Sequence, residues 1–93
     1  MIKAFKCKET ERIFNGRFSS KLPQDIQRVA ERELIMVHRA RDLNDLRIPP
    51  ANHLKALKGE REGQYSVRIN DQWRICFEWH KDGVYNVEIT DYH

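Results

Sequence analysis

Apolar residues recur with two different periods along this chain. The first half has a helical period, and the last thirty residues alternate between apolar and polar positions. We predict a long helix over residues 23 to about 40, because apolar positions there are spaced three and four apart and proline suits the first helical position. Before it, residues 2–7 alternate well enough for a short strand, and residues 9–15 predict a short helix that Gly16 ends. The apolar positions of the long helix are Ile26, Val29, Ala30, Leu34 and Val37.

The alternating part of the chain is interrupted at residues 70–72 and 81–83 by short polar segments. This pattern predicts three strands joined by tight turns, which is an antiparallel meander. Residues 42–63 break the regularity, and we expect a structured loop there with a short helical turn near residues 52–57. The predicted fold class is therefore α+β: a small antiparallel sheet, made of the N-terminal strand and the C-terminal three-stranded meander, with two N-terminal helices packed on one face.

The period of two also assigns strand residues to the two faces of the sheet. The residues predicted to face the core are Val67, Ile69, Trp73, Ile75, Phe77, Val87 and Ile89. The residues predicted to face away are Arg68, Arg74, Cys76, Glu78, Asn86, Glu88 and Thr90. Because helices cover one face only, the polar face with its two arginines is open to a ligand, and a merely solvated face is the alternative.

Composition places the chain among globular proteins: 40% of the 93 residues are hydrophobic, 33% are charged, and the mean hydropathy is −0.78. No apolar run approaches the ~18 residues of a membrane span, and residues 1–6 lack the apolar stretch of a signal peptide. We therefore expect one domain over residues 1–93 in the cytoplasm, too short to add a dinucleotide-binding lobe. Cys7 and Cys76 lie far apart and outside any CxxC pair, so we expect two reduced thiols.

The net charge of +3 is unevenly distributed, because residues 1–47 hold eleven bases and seven acids whereas residues 48–93 hold six and seven. On the long helix, Arg28, Arg32 and Arg39 follow one another at offsets of four and seven. Their simplest interpretation is a solvated helix face, and a contact with a polyanion is the alternative.

Candidate proton-transfer groups occur at two places in the sequence. His53 lies in the irregular loop after two prolines, where a constrained backbone can present a side chain to a site. Asp91, Tyr92 and His93 follow the last strand directly. Of the other two histidines, His38 on the long helix is most simply a surface or edge residue, and His80 is most simply a turn residue.

Several segments together resemble the HigB toxins, or plasmid-maintenance system killer proteins, of the RelE superfamily. They are the run Leu-Asn-Asp-Leu-Arg-Ile-Pro-Pro at residues 43–50, the segment at residues 63–77, and the ending Val-Glu-Ile-Thr-Asp-Tyr-His at residues 87–93. The most specific parts are Asn-Asp-Gln-Trp-Arg at residues 70–74 and the terminal Asp-Tyr-His. The resemblance extends over essentially the whole chain.

The resemblance implies a RelE-like fold and a ribosome-dependent endoribonuclease that needs no metal or cofactor and cleaves mRNA in the ribosomal A site. It also implies a HigA-like helix-turn-helix antitoxin as partner, and we expect the toxin alone to be a monomer. The arginines of the long helix would then contact ribosomal RNA. The family's catalytic residues correspond to His53, Asp91, Tyr92 and His93. The RNA contacts correspond to Arg68 and Arg74, with Lys55 and Lys58 as weaker candidates.

Metal-free RNA cleavage needs a base for the ribose 2′-hydroxyl, fixed cations beside the phosphorane, and an acid for the departing 5′-oxygen. We expect His53 and His93 to share the acid and base roles, in an order that the sequence leaves open. Asp91 would orient or tune one of them, and Tyr92 would stack on a base or assist proton transfer.

Two other classes of function remain as alternatives. The first is a non-catalytic basic module that binds RNA or a protein. The second is a metal-dependent hydrolase with His53, Asp91 and His93 as ligands, for which the sequence spacing gives no support.

Overall fold

The computed structural model describes residues 1–48 and 52–91. Its α-helices are α1 (Lys8–Phe14) and α2 (Gln24–Arg39), and short 3-10 helices lie at Leu43–Arg47 and Gly59–Arg61. The strands are β1 (Lys55–Ala56), β2 (Gln64–Arg68), β3 (Trp73–His80) and β4 (Gly83–Asp91). They form an antiparallel sheet in the order β1-β2-β3-β4. The predicted α+β class, both helices and the meander are confirmed.

Helix α2 begins and ends where its charges favour a helix. Asp25 lies in the first turn and Arg39 lies in the last, and both charges match the helix dipole. Helix α1 ends at Phe14, and Gly16 follows with a φ of +78°, a left-handed conformation that costs glycine little.

One hydrophobic core lies between the helices and the sheet. Helix α2 contributes the buried side chains that were predicted from their spacing, except that Val29 is only partly buried. Phe77 at the centre of β3 is among the largest fully buried side chains. The core consists of Ile13, Ile26, Ala30, Leu34, Val37, Leu46, Val67, Ile75, Phe77, Val84, Val87 and Ile89.

The predicted N-terminal strand contacts the sheet through isolated parallel bridges from Ile2 to Val84 and from Phe5 to Val87. The Lys3 backbone N–H donates to the Val84 carbonyl at 2.7 Å. The segment therefore covers the outer edge of β4, which would otherwise expose unpaired backbone groups. It does so without forming a continuous strand.

The fourth strand of the sheet is Lys55–Ala56, which pairs with β2 at Ser66 and Tyr65. The prediction of a helical turn near residues 52–57 is wrong at these two residues. The Leu57 N–H extends the pairing by donating to the Gln64 carbonyl at 2.9 Å. The reason is long-range, since the edge of β2 offers unpaired backbone groups that a neighbouring extended segment satisfies.

Strand β4 contains one extra residue relative to β3. Cys76 pairs with Glu88 and Glu78 pairs with Tyr85, so two steps on β3 match three on β4. Asn86 takes up this bulge with a φ of +53°. As a result Val84 is buried in the core together with Val87, whereas strict alternation would place them on opposite faces.

Candidate active site

The polar face of the sheet carries two arginines directly opposite each other. Arg68 on β2 is the cross-strand partner of Arg74 on β3, and Arg74 is in turn the partner of Thr90 on β4. Like charges in opposed positions destabilise a sheet. A pair of this kind makes this face a candidate for binding an anionic ligand, and the sequence pattern predicted that both arginines share it.

A cleft of about 460 Å³ lies over these arginines. The segment before and within β1 forms one wall, and the turn between β2 and β3 forms another. The lining residues are His53, Leu54, Lys55, Arg68, Asn70, Asp71 and Arg74. Three cationic side chains, an imidazole and one carboxylate thus line the cleft, and their net positive charge favours an anion such as a phosphodiester.

The backbone of His53 is held by Arg74. The Nη2 group of Arg74 donates to the His53 carbonyl at 2.6 Å, and its Nε donates to the Ser66 hydroxyl at 2.7 Å. Ser66 is fully buried on β2. His53 itself has a φ of +45°, a left-handed conformation that is uncommon outside glycine and is kept only where the surroundings enforce it.

The residue before His53 is anchored on the helical side of the molecule. Asn52 is 3% exposed, and its Nδ2 donates to the Leu46 carbonyl at 3.2 Å and to Met36 Sδ at 3.0 Å. The His53 side chain is exposed. The backbone around His53 is therefore fixed on both sides: Asn52 anchors the preceding residue, and Ser66 holds the arginine that binds the His53 carbonyl. The imidazole between these two anchors is exposed to solvent.

The β2–β3 turn presents a carboxylate to the cleft. Asn70 Oδ1 accepts from the backbone N–H groups of Gln72 and Trp73, both at 2.8 Å, which closes the turn. Asp71 then forms an ion pair with Arg68 while remaining 97% exposed. In the structure the Asp71 carboxylate is therefore paired with the guanidinium of Arg68, which lines the cleft.

Asp91 lies at the end of β4 and outside the cleft lining. Its cross-strand partner is Trp73, and its Oδ2 accepts from Gln72 Nε2 at 3.0 Å. Strand alternation gives it the parity of Trp73, opposite to that of Arg74. Tyr92 and His93, which were predicted to act with it, lie outside the described residues.

The two lysines predicted to contact RNA are placed differently. Lys55 lines the cleft on β1, opposite Ser66. Lys58 is exposed just before the 3-10 helix at Gly59–Arg61 and is absent from the cleft lining.

An ion-pair network occupies the polar face beyond the arginines. Glu88 Oε1 lies 3.2 Å from Arg61 Nη2, and its Oε2 lies 3.4 Å from Lys6 Nζ. Burial raises the pKa of Glu88, but hydrogen bonds from Thr90 and Arg61 and the charge of Lys6 outweigh burial and leave it lowered. The network is structural and covers Cys76.

Neither cysteine forms a disulfide, as expected. Cys76 is buried on β3, and burial raises the pKa of its thiol. A raised pKa disfavours the nucleophilic thiolate.

His38 and His80 make structural contacts, in agreement with the sequence analysis. His38 Nδ1 accepts from the Ile2 N–H at 3.1 Å. His80 Nε2 lies 2.9 Å from Glu78 Oε1, and this contact is the main reason that the pKa of Glu78 is lowered.

Sequence reasoning missed Ser66, Asn70 and Asp71 as parts of the site. Ser66 shares the alternation of Arg68, so its face was predictable, whereas its bond to Arg74 was not. The other two were interpreted only as turn residues. Glu33, which does not line the cleft, was not singled out by the sequence either. It is buried on α2, and burial raises its pKa to about 7 although the charges of Arg32 and Arg74 act to lower it.

Within residues 1–48 and 52–91, no group of three or more His, Cys, Asp or Glu side chains could hold a metal ion. In the same part of the chain, every helix is too short or too polar to cross a membrane.

Comparison with known proteins gives a consistent set of relatives. The family model described as "RelE-like toxin of type II toxin-antitoxin system HigB" matches residues 3–93. The chain is 37% identical over 81 residues to Toxin HigB-1 of Vibrio cholerae serotype O1, covering 86% of this chain and 84% of that one. It is 34% identical over 94 aligned positions to Endoribonuclease HigB of Proteus vulgaris, with full coverage of both chains. Among solved structures, the YoeB-YefM complex from Staphylococcus aureus has the same fold, with a TM-score of 0.62 at 17% identity over 100% of this chain and 98% of that one.

Proposed function

The chain belongs to the HigB family of RelE-like toxins from type II toxin-antitoxin systems, and on this premise we propose that it is an endoribonuclease that cleaves mRNA in the ribosomal A site and so stops translation. The observation that carries the proposal is the cleft in which Lys55, Arg68 and Arg74 surround His53. The proposal places the toxin in the cytoplasm as a monomer. A HigA-like helix-turn-helix antitoxin inhibits it there.

The proposed reaction uses the RNA's own 2′-hydroxyl as nucleophile. A base removes its proton, the 2′-oxygen forms a bond to phosphorus, and the bond from phosphorus to the 5′-oxygen breaks. An acid returns a proton to that oxygen, so the products are a 2′,3′-cyclic phosphate and a 5′-hydroxyl. No water, metal or cofactor enters this balance. Each positioned proton-transfer group contributes about 10²–10⁴ in rate.

His53 and His93 are the proposed acid and base, because histidine titrates in the range that this exchange requires. Asp91 orients or tunes one of them, and Tyr92 stacks on an mRNA base or assists proton transfer. The support in the structure is the enforced backbone at His53. Asp91 enters the proposal through the family resemblance, since it lies at the cleft's end of the sheet without lining the cleft.

Arg68 and Arg74 have different proposed roles. Arg68 contacts the scissile phosphate, which displaces the exposed carboxylate of Asp71. Arg74 gives two of its donors to Ser66 and to the His53 carbonyl, so its main task is to position His53 while its charge adds to the cleft. Lys55 and Lys58 are proposed to contact the RNA backbone on either side.

Primer extension on a defined mRNA, incubated with the purified protein in the presence and absence of programmed ribosomes, tests the function. We expect cuts at A-site codons only when ribosomes are present, and the same cuts when His80→Ala replaces the wild type. His53→Ala and His93→Ala should each lower cleavage by about 10²–10⁴ with folding intact.

The outcomes separate the three classes of function. Cleavage within about threefold of wild type in both histidine variants would contradict the proposed acid and base, since each is assigned a far larger effect. A folded, ribosome-bound protein that never cuts would favour the non-catalytic binding module. Cleavage lost on adding a chelator that leaves the ribosomes intact would favour the metal-dependent hydrolase.

A further inference from the structure

A second groove, of about 420 Å³, lies between α2 and the 3-10 helix at Leu43–Arg47. Among residues 1–48 and 52–91, it shares no lining residue with the cleft around His53. Its lining residues are Arg32, Ile35, Met36, Arg39, Ala40 and Asp45. Ile48, the most exposed large apolar side chain among the described residues at 75%, follows the 3-10 helix directly.

The centre of this groove is apolar and its rim is cationic. Ile35 and Met36 are partly buried, whereas Arg32 and Arg39 are exposed. Within residues 1–48 and 52–91, neither arginine forms an ion pair. The carboxylate in the groove, Asp45, accepts from the backbone N–H groups of Arg41 and Asp42, and among the described residues it forms no ion pair with either arginine.

The mixture of apolar centre and cationic rim decides between possible occupants. A nucleic acid would use the arginines but gain little from a centre of aliphatic side chains. A second copy of this chain would bring arginines against arginines, since a two-fold contact places the same surface on both sides. A protein segment with apolar side chains flanked by carboxylates would satisfy both parts of the groove.

We propose that this groove binds an acidic, amphipathic segment of the antitoxin, with apolar side chains against Ile35, Met36 and Ala40 and carboxylates beside Arg32 and Arg39. The inference rests on the antitoxin partner named in the proposed function. Because the described linings of the groove and the cleft share no residue, the segment anchors the antitoxin without itself filling the cleft.

The affinity of the purified antitoxin encoded beside this chain, measured by calorimetry against toxin variants, tests the inference. We expect the double variant Arg32→Glu, Arg39→Glu to bind at least about 100-fold more weakly, because it sets like charges against the segment. Ile35→Ser should weaken binding by about tenfold. The matched control is the double variant Arg17→Glu, Lys81→Glu, which makes the same charge change at exposed positions and should stay within about threefold.

Two further measurements separate the test of antitoxin binding from the test of the proposed nuclease activity. Thermal melting shows that each variant is folded, and ribosome-dependent cleavage by Ile35→Ser should equal that of the wild type. If the wild type binds antitoxin but never cuts mRNA, the nuclease proposal fails while the groove is still tested. The inference is overturned if the groove variants bind as tightly as the control or if the wild type does not bind antitoxin. Ribosome sedimentation then shows whether the arginines contact RNA instead.

Discussion

The two faces of the sheet differ in the side chains that they carry: one is apolar and packed, and the other is polar and charged. On the helix-covered face, side chains such as Phe77 and Ile75 are fully buried among other apolar groups. On the open face, Arg68 stands opposite Arg74, and the buried hydroxyl of Ser66 accepts from Arg74. One face contributes stability, while the other keeps like charges together at a cost in stability. Stability and catalysis should therefore be separable by substitution.

The largest effect on stability is expected from the core face. Leu34→Ala removes a fully buried side chain from α2 and should lower the free energy of unfolding by about 2–5 kcal/mol. Urea denaturation measures the loss, and Ile48→Ala, at a 75% exposed position, is the control that should change little. Cleavage per folded molecule should be unaltered. A large loss of activity in fully folded Leu34→Ala would show that the two faces are coupled.

A buried carboxyl on α2, Glu33, should make stability depend on pH. Burial raises the pKa of Glu33 from 4.5 to about 7, so the folded chain retains a proton that the unfolded chain releases. The sign follows: this group's contribution is most favourable below pH 4.5 and is lost as the pH rises through about 7. At pH 8 the free energy of unfolding of Glu33→Gln should therefore exceed that of the wild type by up to roughly 3 kcal/mol, since one pKa unit corresponds to roughly 1.4 kcal/mol.

Urea denaturation of Glu33→Gln and wild type at pH 5 and pH 8 measures this difference directly. Other carboxyls titrate equally in both proteins, so their contributions cancel. Glu11→Gln, exposed on α1, is the matched control and should follow the wild type at both values. A Glu33→Gln protein that is no more stable at pH 8 than the wild type would mean that the carboxyl is stabilised by a contact that the glutamine cannot replace.

On the open face, the bond between Ser66 and Arg74 should affect catalysis more than binding. Ser66→Ala removes the acceptor for Arg74 Nε and should lower the cleavage rate by about tenfold with little change in KM. Arg74→Lys keeps the charge but loses the geometry of the guanidinium, so it should behave like Ser66→Ala. Ser20→Ala, at an exposed position, is the control. Near-normal turnover in Arg74→Lys would show that charge alone matters there.

The smallest effect is expected at the turn. Asp71→Asn removes the carboxylate that pairs with Arg68, and an exposed pair of this kind contributes at most about 1 kcal/mol. The variant should therefore bind a short RNA up to about fivefold more tightly, measured by fluorescence anisotropy. Asp82→Asn, in the β3–β4 turn, is the control. Weaker RNA binding by Asp71→Asn would instead mean that the carboxylate itself supports the RNA.

The local pattern of the sequence was enough to predict the two α-helices and the three-stranded meander. The spacing of apolar residues predicted α2 and its buried stripe, and alternation placed Arg68 and Arg74 on one face, as the register confirms. The segment Asn-Asp-Gln-Trp-Arg pointed to the family. These features depend on neighbours a few residues apart, so a single sequence displays them. The roles of Asp91, Tyr92 and His93 remain predictions.

The features that the sequence could not show depend on distant partners. Lys55–Ala56 is a strand because β2 offers an unpaired edge, and Val84 is buried because β4 contains a bulge. The sequence around His53 does not indicate that Arg74, 21 residues away, donates to the His53 carbonyl. These contacts form only when distant parts of the chain come together in the folded structure.

The sequence by itself thus determined the helices, the meander, the polar face and the family. Only the tertiary structure decided how the cleft is built, in which Arg74 supports His53 and Asp71 pairs with Arg68. It also decided that a second groove with a cationic rim lies on α2. The reason is physical. Periodicity records which side of an element is buried, whereas a site depends on distances between elements, and those are set by packing across the whole fold.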